Sequence, residues 1–407
     1  MKLKMLSLFT GIGAFEKAIK NIGIECEVVG FSEIDKYAIK SYCAINDEDE
    51  RKNLGDITKI DASTIESDID IITHGSPCQD FSVAGKQAGA EKGSGTRSSL
   101  MWYTVDIVQQ IKPKYVIWEN VKNILSKKHK HNFDKYIKTM EQLGYNNYYQ
   151  ILNAKDYGIP QNRERVYTIS IRQDIDNKQF KFPEKEELEL KLRDILEKNV
   201  EKKYYLKNEQ IRNFVRNNNE NCNPSGKGMN GQVYTGNISP TITTNKGEGI
   251  KINETNVIGH LVMDKWQDHM KRIYDIDKYA PAINTMQGGN LEPKILENPY
   301  IVASRGRNPD NPSSRIVGEH LEQRLEANTS GTTNCISTVQ KDNYVVENNI
   351  KIRKLTPLEC WRLMGFSDDD FRKAEKVNSN AQLYKQAGNS IVVNVLEKIF
   401  KNLLLEE

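Results

Sequence analysis

Along the first 175 residues two apolar rhythms take turns. Short runs at Met5 to Phe9, Cys26 to Phe31, Ile69 to Thr73, Tyr115 to Trp118, Tyr148 to Leu152 and Val166 to Ile171 read as strands. Between them apolar residues recur every three or four positions. Ala14, Phe15, Ala18, Ile19 and Ile22 mark one helix, Leu100, Met101, Val105 and Val108 a second, and Phe133 to Leu143 a third. Strands alternating with helices predict an open α/β sheet, whose ligands gather where strands end in loops. From about Phe182 the pattern breaks. Lys and Glu crowd Glu184 to Lys203, then Asn, Gly and Thr dominate, so that Asn217 to Asn349 reads as irregular β-rich structure with long loops. Three patches there, Pro240 to Thr244, Pro281 to Thr285 and Asn334 to Thr338, resemble one another, but their unequal spacing falls short of a solenoid repeat. Order returns at the end. Thr356 with Glu359 forms a capping box, and Ile391 to Leu405 is an apolar-periodic helix that needs a partner surface, most simply the first domain.

Composition narrows the class. The 407 residues suffice for two or three domains with a substantial core. Six cysteines, at 26, 43, 78, 222, 335 and 360, form neither a dense disulfide framework nor a Cys-x-x-Cys pair, which points to a reducing, intracellular setting. No secretory signal and no run of apolar residues long enough for a bilayer is seen. The net charge of +3 neither demands nor excludes nucleic acid, because binding depends on where basic residues cluster.

Candidate chemistry sits at the ends of the strand-like runs. Thr10-Gly11-Ile12-Gly13 is a glycine turn opening a helix, able to approach a nucleotide-like cofactor, although it lacks the third glycine of the dinucleotide fingerprint. Glu33 follows some twenty positions later, where a carboxylate takes ribose hydroxyls in nucleotide-binding folds; a helix amino-terminal acid is the equal alternative. Gly55-Asp56-Ile57 makes another acidic turn. Gly75 to Ser82 places Cys78 at a strand's carboxyl end, before a loop rich in Gly, Ser and Lys that runs to Ser99. Alone, that cysteine reads first as a small buried residue; beside a group that favours the thiolate it is a nucleophile. Glu119 ends the next strand, as a helix cap or as a catalytic acid. Arg163 and Arg165, two apart, point to one face that can hold an anion or a carbonyl, or form a solvated edge.

Taken in order, Phe9-Thr-Gly-Ile-Gly13, Glu33, Gly55-Asp56, Ser76-Pro-Cys-Gln79, Glu119-Asn-Val121, Gln161-Asn-Arg-Glu-Arg165, Arg353 to Gly365 and Gly388-Asn-Ser390 closely resemble the motifs of the DNA (cytosine-5)-methyltransferase family, of bacterial or phage type. The match covers about residues 1 to 175 and 350 to 407, and leaves the middle without a recognisable pattern. Thr10 stands where that family often has a smaller residue.

The resemblance implies an α/β, Rossmann-like S-adenosylmethionine-dependent domain, mostly parallel with one antiparallel strand pair, over residues 1–180 and completed by 376–407. It implies a smaller, irregular β-rich target-recognition domain over 181–375, variable at about 217–349. It implies site-specific methylation of cytosine C5 in double-stranded DNA, with the base flipped out of the duplex. Cys78 would add to C6, Glu119 would act at N3 and the exocyclic amine, and Arg165 would hold O2 with Arg163 close by. S-adenosylmethionine, leaving as S-adenosylhomocysteine, would rest on Phe9, Gly11, Ile12, Gly13, Glu33, Ile34, Asp56, Ile57, Pro77 and Asn389. DNA contacts would come from Gln79, Ser82, Arg97, Arg305, Arg307 and Arg315. No metal is required, and His129 and His131 read as exposed loop residues. A monomer in the cytoplasm of a bacterium or phage-infected cell is expected, with no membrane association and with a cognate restriction endonuclease as a compatible partner. Two alternatives stand beside this reading: a transfer-RNA cytosine-5 methyltransferase, which usually has a compact middle region, and a catalytically silent DNA-binding homologue, which is expected to have lost Cys78, Glu119 or Arg165.

Overall fold

The computed structural model describes residues 2–65, 68–77, 94, 96–204 and 355–405, without the side chains of Arg97 and Arg193, together with the backbone of short strands between 214 and 354. The chain divides into two compact units: residues 1–197, 277–292 and 356–407 form one, residues 198–276 and 293–355 the other.

The first unit is built on a six-stranded sheet. Its strands are β1 (Leu3–Leu8), β2 (Cys26–Ser32), β3 (Ile71–His74), β4 (Tyr115–Val121), β5 (Tyr145–Asn153) and β7 (Glu164–Arg172), with the two-residue β6 (Gln161–Asn162) lying outside it. The order is β2-β1-β3-β4-β7-β5. β1 pairs in parallel with β2 and β3, and β3 with β4, while β7 runs antiparallel to both β4 and β5. The single antiparallel pair read from the sequence is therefore one reversed strand with two antiparallel neighbours. β4 also outruns its apolar stretch. Pairing with β7 continues to Val121 opposite Arg165, so Glu119 and Asn120 are strand residues and Glu119 caps no helix.

Four helices connect the strands: α1 (Ala14–Asn21), α2 (Lys36–Asn46), α3 (Met101–Ile111) and α4 (Lys130–Gln142). One core joins Leu6, Leu8, Ile72, Val116 and Trp118 of the sheet with Trp102, Val105, Phe133 and Tyr136 of α3 and α4. The Trp118 ring lies 4.3 Å from that of Tyr136 and 5.9 Å from that of Phe133. Each such side chain removed from water contributes about 1.5–3 kcal/mol. His129, expected on the surface, is buried where α4 begins, whereas His131 is exposed.

After the short α5 (Leu192–Ile195), the end of the chain adds α6 (Pro357–Arg362), α7 (Asp368–Glu375), α8 (Asn380–Asn389) and α9 (Val393–Leu404). Thr356 and Glu359 form the expected capping box at α6. α9 packs on α1, with the Phe15 and Phe400 rings 6.4 Å apart. The second compact unit is narrower than the 181–375 that the resemblance implies for the second domain, and α6 and α7 belong to the first unit.

The second unit is irregular and β-rich. A five-stranded sheet orders the strands at 351–354, 294–297, 272–274, 257–261 and 214–216, and a three-stranded one places 301–307 between 322–328 and 344–345. No helix among the described residues is long and apolar enough to cross a membrane.

Candidate active site

The sheet is parallel from β2 to β4, so their carboxyl ends, with the start of the reversed β7, face one edge. The turn after β1 opens it. Phe9 has φ 53, a left-handed conformation that a side chain other than glycine's adopts at a cost. Gly11 and Gly13 follow with φ 59 and 87. A Cβ on Gly13 would lie 2.5 Å from Asn46 Nδ2, so packing against α2 demands glycine there. A Cβ on Gly11 would meet nothing within 4 Å; the space beside it is open, as a turn that receives a ligand requires. Ile12 is buried behind the turn, and the Thr10 hydroxyl donates to Ser7 O at 3.0 Å, pointing inward.

Glu33 leaves β2 beside that turn. Its Oε2 accepts from the Gly11 amide at 2.9 Å, and its Oε1 from the Ile34 and Asp35 amides at 2.8 and 2.9 Å. Burial raises its pKa, opposed by these backbone donors. The cap of α2 is Asp35, which accepts from the Tyr37 amide, while Glu33 takes the amides just before the helix, as a helix amino-terminal acid also does. Ile34 is 74% exposed, an apolar side chain held in the open next to a carboxylate. Asp56 caps the turn over Ile57–Lys59, and hydrogen bonds from the Thr58 amide and hydroxyl lower its pKa; Ile57 is buried. Asn53 joins the two acidic turns. Its Oδ1 accepts from the Glu33 and Gly55 amides at 3.1 and 3.0 Å, and its Nδ2 donates to Glu33 O at 3.1 Å. Sequence reading gave Asn53 no role, although an amide side chain two residues before a glycine turn is the available signal.

Toward β4 the edge gathers a buried carboxyl and two arginines. Gly75, Ser76 and Pro77 leave β3, and Ser76 is anchored from the neighbouring strand: Trp118 Nε1 donates to its Oγ at 3.0 Å and Asn120 Nδ2 to its carbonyl at 3.3 Å. The strand that carries Glu119 thus also fixes the approach to Cys78. Asn120 stood in the quoted motif without a task, and Ser76 likewise.

Glu119 is 9% exposed, and Arg165 Nε lies 3.1 Å from its Oε1. The β4–β7 register places Glu119 opposite Tyr167 and Arg165 opposite Val121, two positions along the same face. Burial raises the Glu119 pKa; the charges of Arg165 and then Arg163 pull it back. A Cβ on Gly75 would sit 3.9 Å from Glu119 Oε2, so the backbone leading to Cys78 passes close by the carboxyl. Arg163, whose charge also acts on Glu119, reaches a second set of partners. It is 4% exposed and donates through Nη2 to Gly388 O at 3.2 Å and Ser390 O at 2.7 Å, on either side of the exposed Asn389.

The structure therefore brings Phe9, Gly11, Gly13, Glu33, Ile34, Asp56, Pro77, Glu119, Arg165 and Asn389 onto one unit. Cys78, Gln79, Ser82 and Arg315 lie outside the described residues, as do the side chains of Arg97, Arg305 and Arg307; the backbone of the last two falls in the strand at 301–307. Chemically, the edge offers an open glycine turn with a carboxylate and an apolar side chain beside it. Next to these stands a buried carboxyl, inclined to hold a proton and paired with a guanidinium, which suits the polar edge of a neutral heterocycle.

Comparison with known proteins gives the same direction. The model of the C-5 cytosine-specific DNA methylase family matches residues 3–405. The orphan methyltransferase M.SPRI of Bacillus phage SPR is 37% identical, with 99% of this chain and 98% of that protein covered. The type II methyltransferase M.HhaI of Haemophilus parahaemolyticus is 32% identical over 98% of this chain and 94% of that one. In structure, the methyltransferase EhMeth of Entamoeba histolytica aligns with a TM-score of 0.62 over 99% of this chain and 98% of its own; at 16% identity this is a likeness of fold.

Proposed function

The chain belongs to the C-5 cytosine-specific DNA methylase family and is a DNA (cytosine-5)-methyltransferase, and we propose that Cys78, Glu119 and Arg165 carry its reaction on a cytosine turned out of the duplex. The observation that supports this best is the Glu119–Arg165 pair beside the backbone that leads to Cys78.

Cytosine C5 is a poor nucleophile while the ring is aromatic. A Cys78 thiolate adding to C6 breaks that aromaticity and makes C5 electron-rich. Charge then develops on the ring nitrogen, and a protonated Glu119 carboxyl can donate to N3 while accepting from the exocyclic amine. The raised pKa of Glu119 favours that form. Arg165 meets O2 and keeps the base oriented. Once C5 has bonded to the methyl carbon, whose bond to sulfur breaks, the C5 proton would leave to a base and the Cys78 thiolate would depart with restoration of the C5–C6 double bond. The base must leave the stack for these atoms to reach it.

The residues present fit S-adenosylmethionine. The open side of Gly11, the Glu33 carboxylate and the exposed Ile34 suit a ribose and a flat apolar ring, with Asp56 and Ile57 at the adenine, Phe9, Ile12, Gly13 and Pro77 shaping the pocket, and exposed Asn389 at the amino-acid part. When bound, S-adenosylmethionine supplies an electrophilic methyl group, and no metal is needed.

Residues 217–349 would read the target sequence, with Arg305, Arg307 and Arg315 among the DNA contacts on that unit and Gln79, Ser82 and Arg97 on the other. One copy suffices, because a single flipped base needs no symmetric partner. Relatives named type II support a cognate endonuclease and those named orphan its absence; phage and bacterial relatives support action in the bacterial cytoplasm.

The test is incubation with tritiated S-adenosylmethionine and random-sequence duplex DNA, followed by bisulfite sequencing. Protected cytosines within one short motif are expected. Label in transfer RNA but not in DNA overturns the substrate, and no label in either overturns the activity.

A further inference from the structure

α1 leaves the glycine turn with Ala14, Phe15, Ala18 and Ile19 buried, and Glu16 is buried among them, only 7% exposed. A carboxyl is seldom buried so far without a cationic partner. Among the described residues no lysine or arginine pairs with Glu16, and the Glu48 charge acts on it with the same sign. Its neighbours are hydroxyls. Tyr42 Oη donates to its Oε1 at 3.1 Å and Ser7 lies beside it; burial raises its pKa, opposed by these two hydroxyls. No step of the methyl transfer uses this carboxyl, so its burial has another reason.

The positions of the two hydroxyls point to the turn. Ser7 is its first foot, near the end of β1, and Glu16 its second, in the first turn of α1. Ser7 O accepts from the Thr10 hydroxyl at 3.0 Å, and its Oγ lies 3.4 Å from the Thr10 and Thr73 hydroxyls, which joins the turn to β3. Tyr42, fully buried on α2, is the wall behind the second glycine: a Cβ on Gly13 would come within 3.1 Å of its ring. One carboxyl thus meets a group on each side of the turn's base. Between the two feet Phe9, Gly11 and Gly13 all have left-handed φ, and a left-handed phenylalanine persists only where its surroundings over-determine it. Glu33 holds the turn through the Gly11 amide; Glu16 lies on the buried side.

We propose that Glu16 is a positioning residue for the cofactor: through Tyr42 and Ser7 it braces the glycine turn by hydrogen bonding, not by charge, in the shape that receives S-adenosylmethionine. The proposal rests on the reading of this turn as the cofactor site. It follows that the uncharged amide of glutamine can replace the carboxyl, whereas leucine, of similar size, cannot. Without the brace Phe9 relaxes from its left-handed conformation, and binding has to restore it.

The test is calorimetric titration of the full-length protein with S-adenosylhomocysteine, well below the melting temperature of every variant. Glu16→Leu is expected to weaken binding about 10–100-fold, the range set by restoring one strained residue, and Glu16→Gln to stay within about threefold of wild type. In the tritium assay Glu16→Leu should raise the KM for S-adenosylmethionine by the same factor and leave kcat and the KM for DNA near wild type. Ile19→Ala, a core lesion on the same helix, should lower the melting temperature without changing the affinity. Should Glu16→Leu fail to fold, Tyr42→Phe, which deletes the donor to Oε1 and keeps the ring behind Gly13, is expected to weaken binding about 3–10-fold. A lower melting temperature with unchanged affinity in Glu16→Leu or Tyr42→Phe, an equal loss in Ile19→Ala, or a loss in Glu16→Gln as large as in Glu16→Leu overturns the proposal. Gly11→Val, which fills the open side of the turn, separates the brace from the reading beneath it. Wild-type affinity in that variant refutes the turn as the cofactor site and the brace with it, whereas lost affinity there beside full affinity in Glu16→Leu refutes the brace alone.

Discussion

Arg163 and Arg165 share a face two residues apart, yet they are expected to fail in opposite ways when replaced. Arg163 donates two charge-assisted hydrogen bonds, to Gly388 O and Ser390 O, from a site 4% exposed. Each such bond contributes about 1.5–3 kcal/mol, so Arg163→Met removes roughly 3–6 kcal/mol of them. Relief of a desolvated guanidinium offsets part, leaving a net loss of about 2–4 kcal/mol. At about 2–4 °C per kcal/mol, the melting temperature should fall by roughly 5–15 °C. The released segment carries Asn389. Re-ordering it on binding should weaken S-adenosylhomocysteine about 10–100-fold, since 1.4 kcal/mol is tenfold in affinity. Calorimetric titration reads that loss directly, and Arg163→Lys, which keeps charge but not the fork, should fall between. Arg165→Met should instead bind S-adenosylhomocysteine normally and lose turnover. Wild-type cofactor affinity in Arg163→Met, or the same pattern in both variants, refutes the assignment of Arg163 to positioning.

Other outcomes follow from neighbouring geometry. Glu119→Gln should lower turnover by about 10²–10⁴-fold, read in the tritium assay. Its folded pKa is raised, so the stability Glu119 contributes is complete below about pH 4.3 and lost as pH rises through the folded value. The melting temperature of Glu119→Gln relative to wild type should therefore climb over that window and then level off; a pH-independent difference contradicts it. Ser76→Ala, which deletes the acceptor of Trp118 Nε1–H, should reduce kcat while leaving the KM for DNA near wild type, and a change in KM alone would count against an anchor for the cysteine loop. Cys78→Ala should bind cofactor and DNA but transfer no methyl group, and turnover in that variant removes the thiol from the mechanism. Exchanging residues 217–349 for a relative's should transfer the protected motif seen by bisulfite sequencing, and unchanged specificity would dissociate this segment from target reading.

Much of the sheet was legible because its strands are short apolar runs on one chain segment, and the glycine turn and carboxylates sit where such runs stop. What escaped notice depends on contacts distant in sequence or on polar residues with local tasks. The extension of β4 through Glu119 is set by register with β7, some forty residues later, and not by apolar character. α2 buries Ala38, Ile39, Tyr42 and Ile45 on one face behind the Asp35 cap, a start signal that lies only two residues after Glu33 and shares its acidic turn. His129 looked like a loop residue amid lysines, and only the packing at the start of α4 buries it. The arginine pair was visible as a pair, but its division of labour was not, because the partners of Arg163 lie 225 and 227 residues away.

Those distant partners explain why motifs at the two ends of the chain make one site. Gln161 Nε2 donates to Leu363 O at 2.7 Å, two residues before Arg163 reaches Gly388 and Ser390. On the cofactor side, Lys385 pairs with Asp35 at 2.7 Å, and Gln386 both donates to Tyr37 O at 2.9 Å and accepts from the Ser41 hydroxyl at 3.0 Å. The residues after 356 therefore brace α2 and the entry to β7 at once, from opposite sides of the edge. Buried polar groups such as Gln161 and Arg163 cost free energy until those carbonyls arrive. It follows that the first 197 residues, although they contain every strand of the main sheet, cannot complete the site by themselves. During synthesis the glycine turn, Glu33 and Glu119 emerge early, but the geometry that distinguishes Arg163 from Arg165 exists only after residue 390 has left the ribosome. Changes of length or sequence within residues 217–349 should thus leave catalysis intact, provided the last fifty residues still return to the same carbonyl and helix positions.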